Sequence, residues 1–422
     1  MEFDSFFPSP PELKKGQKWH VFVSYRSTDR PWVLRLFDAL THLKYAVFVD
    51  QFVLSAGAPL AGSLGEGVDK SGAAVIVWSK NYATSKWTED EYNAIKSRQN
   101  SDSTFKVGIA KRDGTPLHGL LAGQMSTDFT DLPDGPGGEA LLRLLLGMAG
   151  SPLPPGAVQL ATEIDAARMK ALIEIKTARQ NDDPERIIEL SKSDDLAWIT
   201  SPMCGCAAVE ALIAAERFDA AKEILVNLRK HFPAAIRPRQ LEGLAARRQG
   251  DWQGAMRILG AMYSEDYRDA ETIGMYAAAW MVRYRQTGTR LYLVRSRDLY
   301  REAFETSSDS YTGINAATKS LLLGERETSM QLAARVEALF ADRSPADYWE
   351  QATLAEARLL QSDCYQASEY YNAAVLMAPG ETGSHKATLE QARQIMHSLG
   401  VTASEGNAIE QVFAHLKLAA KV

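Results

Sequence analysis

Ala73-Ala-Val-Ile-Val-Trp78 is an unbroken apolar run of strand length. It shows no alternation of polar and apolar residues, so it predicts a strand covered on both faces. That is the habit of a parallel sheet wrapped by helices. Upstream, Trp19-His-Val-Phe-Val-Ser-Tyr25 and Ala46-Val-Phe-Val-Asp50 read as two more strands. Downstream, Phe105 to Ala110 reads as a fourth strand and Ser126 to Phe129 as a weaker fifth. Helical patterns separate them. Pro31 to Leu43 begins with a helix-starting proline and carries Val33, Leu36, Phe37 and Leu40 at helical spacing. Leu60 to Val68, Trp87 to Arg98 and Gly138 to Met148 complete the set. Strands alternating with helices at this pitch imply an α/β fold, a parallel sheet wrapped by helices.

In such sheets ligands bind beyond the carboxyl ends of the strands. Tyr25, Arg26, Ser27 and Asp29 follow the first strand. Asp50 and the loop Gln51 to Pro59, with Ser55 and Gly57, follow the second. Ser79, Asn81, Ser85, Trp87 and Glu91 follow the third. Trp87 and Glu91 are four apart, the spacing of one helical face. A carboxylate beside an indole sits against a partly apolar wall, a setting that perturbs its pKa.

These residues carry a resemblance. Val21-Phe-Val-Ser-Tyr25 is similar to the opening motif of Toll/interleukin-1 receptor (TIR) domains. Val47-Phe-Val-Asp50, Leu54 and Gly57 resemble their second strand and long loop. Asp69-Lys-Ser71, Val75 to Ser79, Asn81-Tyr82, Ser85, Trp87 and Glu91 match their third strand and following helix, in order and spacing. The likeness spans residues 18–150 and implies the family's α/β, flavodoxin-like parallel sheet.

Many TIR domains cleave NAD+ between nicotinamide and ribose. The resemblance therefore implies an NAD+ hydrolase or cyclase, with NAD+ as substrate and no separate cofactor. The family's key glutamate stands four residues after a tryptophan and maps to Glu91, which makes Glu91 the expected catalytic residue. Arg26, Tyr25, Trp87, Asp50, Ser55, Gly57 and Ser79 are the expected substrate-binding set. Arg26 would meet a phosphate or the adenine edge. Gly57 would permit the loop's backbone. The family's neuronal enzyme has an acidic residue and an aromatic in this loop, where Ser55 and Pro59 stand here. Each residue also has a plainer reading: Glu91 as a surface residue, Arg26 in a salt bridge, Trp87 in packing, Asp50 as a cap.

Other chemistries lack their residues. No His-Glu-x-x-His or other ligand spacing occurs, so no metal site is expected, and Cys204-Gly-Cys206 reads as small packing residues in a helix. The nucleophile elbow and the phosphate-binding Gly-Lys-Ser/Thr loop are missing too. Among 422 residues, 45% are hydrophobic and 24% charged, with a net charge of -6. An acidic balance disfavours direct nucleic-acid binding. Three cysteines fit a reducing compartment. No run approaches the ~20 apolar residues of a membrane span. Residues 1–17 lack the pattern of a secretory signal. A cytoplasmic protein with no membrane partner is expected.

Gly150-Ser-Pro-Leu-Pro-Pro-Gly156 breaks the pattern, and the composition beyond is helical. Phe218 to Leu225 recurs as Trp252 to Leu259, an offset of 34, the tetratricopeptide period. Ala221 and Ala255 occupy its small positions, with Pro233 and Gly243 in register. Ala355, Ala367, Tyr371, Ala374 and Pro379 restore the pattern later. Residues 269–325 fit it poorly. Within them, Asp309 to Thr318 and Leu321 to Gly324 resemble the helical TRAF-binding-type domain of stress-activated kinase kinases and bacterial proteins. Tyr311-Thr-Gly-Ile-Asn315 reads as a tight entry to a helix, with Gly313 in the turn and Asn315 bonding free amides.

The expected organisation is a flexible leader (1–17), a TIR domain (18–150), a linker (151–157) and an all-α, tetratricopeptide-like repeat domain (158–422). Two functions fit it. One is an NADase effector activated by assembly, with ADP-ribose or a cyclic variant as product, controlled by a protein or small-molecule activator; family analogy suggests anti-phage defence. The other is a non-enzymatic scaffold that self-associates through TIR domains and recruits partners through the repeats.

Overall fold

The computed structural model describes residues 3–26, 29–49, 60–83, 87–117, 121–132, 135–154, 156–193, 196–265, 267–341, 343–345, 347–379 and 382–416. Two compact units divide the chain, Met1–Tyr267 and Arg268–Val422.

The first unit opens with the sheet expected from the apolar runs. Its strands are β1 (Trp19–Ser24), β2 (Val47–Phe48), β3 (Ser71–Trp78), β4 (Lys106–Lys111) and β5 (Thr127–Asp128). All pairings are parallel, in the order β2-β1-β3-β4-β5. The register sets Val23 opposite Val75 and Val75 opposite Gly108. Alternate residues of each strand feed opposite layers. Val21, Val23, Val75 and Val77 pack with Leu36, Leu40, Leu141 and Leu144. Phe22, Ala74, Ile76 and Trp78 pack with Phe48, Val68 and Ile95. Two covered faces explain why β3 has no polar residue from Ala73 to Trp78.

The helices of this layer are α1 (Arg30–His42), α2 (Leu60–Asp69), the short α3 (Lys80–Ala83), α4 (Trp87–Ser101) and α5 (Gly138–Ala149). Each predicted helix lies within a few residues of its expected bounds. Within the leader, Phe3–Phe6 form a 3-10 turn. Phe6 and Phe7 pack against Leu142, Leu146 and Ile164, and the Tyr45 hydroxyl donates to Pro8 O at 2.8 Å. These anchors are not evident in the proline-rich sequence.

Among the described residues, helices alone follow the Pro/Gly segment: α6 (Ala157–Gln180), α7 (Pro184–Leu190), α8 (Leu196–Ile199), α9 (Met203–Ala214), α10 (Phe218–His231), α11 (Ile236–Arg248) and α12 (Trp252–Ser264). Within this unit the sheet layer and the first repeats cap each other's helices. Asp38 on α1 accepts a 3.0 Å bond from the Ile236 amide at the start of α11. Asp165 on α6 accepts a 3.1 Å bond from the Glu139 amide in the first turn of α5 and pairs with Arg168 at 2.6 Å. Each carboxylate meets the positive end of a helix dipole. The His42 and Phe232 rings meet nearby at a tilt, with centroids 5.1 Å apart.

The second unit holds α13 (Ala270–Thr287), α14 (Arg290–Ser307), α15 (Ser310–Leu322), α16 (Arg326–Ala338), α17 (Tyr348–Leu360), α18 (Cys364–Met377), α19 (Thr382–Leu399) and α20 (Ala403–Val412). Second helices of the repeats begin at residues 218, 252, 290, 326 and 364, so the interval of 34 holds only for the first pair. The contact position three residues into each of them is nonetheless fully packed. It is held by Ala221 at 0%, Ala255 at 0%, Leu293 at 1%, Ser329 at 0% and Ala367 at 0% exposure.

One expectation is corrected. Asp309, not Asn315, caps α15, accepting from the Thr312 amide at 2.8 Å. Asn315 lies inside the helix, donating to Tyr311 O and accepting from Lys319. Gly313 is also inside it, and a Cβ there would stand 2.6 Å from Val336 and 2.7 Å from Phe304. Its glycine is required by close packing rather than by a turn.

Candidate functional site

In a sheet ordered 2-1-3-4-5 the connections diverge between β1 and β3, which opens a crevice at their carboxyl ends. Ser24 ends β1 and shares a 2.9 Å hydrogen bond with the Tyr82 hydroxyl. Tyr25 comes next and is buried in the layer of Val23, Trp32 and Val49. Arg26 is half-buried, and its carbonyl accepts from the Asp29 amide at 2.7 Å. That turn delivers Asp29 to the first position before α1.

From the other side of the crevice, the Ser79 hydroxyl donates to Asp29 Oδ2 at 2.6 Å. Ser79 Oγ also accepts from the Tyr82 amide at 3.1 Å and so caps α3. Arg112, one residue past β4, places Nη1 3.4 Å from Asp29 Oδ1. Its guanidinium lies 5.2 Å from the Trp32 ring centre. Asp113 accepts from the Lys80 and Thr115 amides at 2.8 and 2.9 Å. Side chains that follow β3 and β4 thus converge on the carboxyl group of Asp29, which follows β1.

The electrostatics follow from burial. Asp29 is 5% exposed, and desolvation raises its pKa against the opposing pulls of Ser79 and Arg112. Burial also makes Arg112 easier to deprotonate than a free guanidinium, with Asp29 opposing. A hydroxyl, a carboxyl and a guanidinium at this edge can offer hydrogen bonds of either polarity to a polar ligand.

Of the expected residues, Tyr25, Arg26 and Ser79 stand at this edge. Trp87 and Glu91 lie on α4, which follows β3, but their side chains are outside the described residues, as are Asp50, Ser55 and Gly57. Sequence reasoning notes Asp29 without giving it a role and misses Arg112. The rule that finds Ser79 after β3 would also find Lys111-Arg112-Asp113 after β4. It misses Asp38 as well, a carboxylate set among Leu34, Leu36 and Leu40 on an apolar helix. A cavity of about 60 Å³ lies beside it, lined by Arg35, Asp38, His42, Arg168, Met203 and Arg237. Among the described residues no group of three or more His, Cys, Asp or Glu could hold a metal ion, and no helix is long and apolar enough to cross a membrane.

Comparison with known proteins agrees with both halves. The family described as "TIR domain" matches residues 21–145, and "Tetratricopeptide Repeats-Sensor" matches residues 217–322. Over 75 residues the chain is 33% identical to TMV resistance protein N of Nicotiana glutinosa, a stretch covering 17% of this chain and 7% of that protein. Among solved structures, a thermophilic TPR protein of Thermus thermophilus aligns at 18% identity with a TM-score of 0.36, over 47% of this chain and 98% of its own. The chain carries an N-terminal TIR domain followed by tetratricopeptide repeats of the sensor type.

Proposed function

We propose that the TIR domain cleaves NAD+ between nicotinamide and ribose, with Glu91 as the essential carboxylate, and that the repeats govern when it does so. The observation that carries the reading is the placement of Trp87 and Glu91, four residues apart on the helix that follows β3 of a 2-1-3-4-5 sheet. The chemistry needs little else. Nicotinamide is bound as a cationic pyridinium and leaves the ribose as a neutral molecule, so no acid has to protonate it. A glycosidase that expels an alcohol needs a second carboxyl group for that task. One carboxylate can hold the ribose hydroxyls and stabilise the oxocarbenium charge as it develops. Water then gives ADP-ribose, or an internal nucleophile gives a cyclic product, with the same carboxylate available as a base.

TIR domains that act on NAD+ generally work when copies assemble, and the repeats supply a surface for an activating protein or small molecule. Specific activity should therefore climb with protein concentration. The test is chromatography of NAD+ incubated with the full chain at rising concentration, beside Glu91→Gln and Glu91→Ala. Release of nicotinamide that both substitutions abolish, with the fold intact, supports the reading, and the second product separates hydrolase from cyclase. Intact NAD+ in every assembled sample would leave the non-enzymatic scaffold as the function.

A further inference from the structure

Arg112 has more hydrogen-bonding capacity than its surroundings use. A guanidinium carries five N–H donors in a planar fork. One of them, on Nη1, makes a long 3.4 Å contact with Asp29. Its Nε is buried without a hydrogen-bond partner among the described residues. The side chain is 18% exposed, and its guanidinium lies against the Trp32 ring.

Asp29 and Asp113 both attract Arg112 electrostatically, but neither gives it a close hydrogen bond. Asp29 gives its shorter bond, 2.6 Å, to Ser79. Asp113 is occupied by the Lys80 and Thr115 amides. Arg35 adds a second positive charge within electrostatic range of Arg112. A part-buried guanidinium with spare donors and a like-charged neighbour favours an anion with several acceptor oxygens. The position matters equally: Arg112 follows β4 beside the crevice, where open α/β sheets take their ligands.

We propose that Arg112 binds a phosphate group of a nucleotide-type ligand at the carboxyl edge of the sheet, with Asp29 steering the guanidinium. The proposal rests on the NAD+ reading for the identity of the ligand, whose diphosphate supplies the anion. Two phosphate oxygens replace the long Asp29 contact with a bidentate pair, and Asp29 keeps its bond to Ser79.

The test uses the full chain, with ADP-ribose and adenosine as probes in calorimetry and NAD+ as substrate. Arg112→Gln should weaken ADP-ribose binding about tenfold or more, leave adenosine within about twofold, and raise the KM for NAD+ in step, the loss expected for a charge-assisted bidentate pair. Arg112→Lys keeps the charge without the fork and should recover part of the loss. It also serves if the glutamine variant is poorly folded. Equal weakening of ADP-ribose and adenosine, or of neither, would overturn the proposal, as would a wild-type protein that binds no ADP-ribose. Cleavage of NAD+ with an unchanged KM in Arg112→Gln would remove the subsite and leave the NADase reading standing. ADP-ribose binding that depends on Arg112, in a protein that leaves NAD+ intact, would keep the subsite and remove that reading.

Discussion

Ser79 and Asp29 meet at 2.6 Å across the crevice between β1 and β3, and the bond is buried. The hydroxyl favours the charged form of a carboxyl that burial pushes toward neutrality. Ser79→Ala removes that support. The folded-state pKa of Asp29, already above its ordinary value, rises further, so the variant's deficit grows with pH. About 1–3 kcal/mol of stability should be lost at pH 8 and less at pH 5. Urea melts at the two values measure it, and an equal loss at both would contradict the assignment.

Asp38 gives a second pH effect. Burial pushes its pKa up to about 7, against the pull of the Ile236 and Arg237 amides and the charges of Arg35 and Arg237. A carboxyl with a raised folded-state pKa binds a proton more tightly in the folded chain. Stability is therefore highest below the ordinary carboxylate range and falls as pH rises through about 7. A shift of this size corresponds to roughly 4 kcal/mol across that window. Asp38→Asn keeps an oxygen for the Ile236 amide and cannot ionise. Its unfolding midpoint should be flatter between pH 5 and 8 than that of the wild type.

Gly313 tests packing against propensity. In an exposed helix interior, alanine for glycine stabilises by about 1 kcal/mol. Here the added methyl would meet Val336 and Phe304 at 2.6 and 2.7 Å. Overpacking costs about 1–3 kcal/mol. Gly313→Ala should lower the melting temperature of the second unit, and a rise would show that α15 and α16 give way easily.

The same helix supports a double-mutant prediction. Lys319 is buried, hydrogen-bonded to Asn315, and burial pulls its pKa down to about 8. Glu356 is buried and bonded to Thr318, and to Gln391 at 2.7 and 2.8 Å. Lys319→Met alone leaves Glu356 without its neighbouring cation and should cost about 3 kcal/mol. Paired with Glu356→Gln it should cost less than the two changes summed, a coupling that denaturant melts of all four proteins would reveal.

Much of this architecture is legible in the chain. Val75 to Trp78 announces a strand covered on both faces, and strands alternating with helices announce a parallel sheet. The repeats are legible where Ala221 and Ala255 keep the period. They fade where Leu293 and Ser329 take the same packed position and the helices lengthen, because the geometry tolerates residues that the pattern does not. The candidate site is half legible. Ser79, Tyr25 and Arg26 follow from strand ends. The convergence of Asp29 and Arg112 depends on which strands are neighbours, a property of pairing that no local window contains. Asp38 is hidden for a similar reason, since its partner amide is 198 residues away.

The reciprocal caps change what a cut in the chain would do. Ser151 and Pro152 are exposed, in the segment between α5 and α6. A protease that nicks this segment breaks one peptide bond but leaves Asp38 on Ile236 and Asp165 on Glu139. The fragments should therefore travel as one particle in gel filtration and separate only in denaturant. A TIR fragment expressed alone would be another object. Its α5 would lack the carboxylate that caps its start, and Asp38 would face water and titrate like an ordinary aspartate.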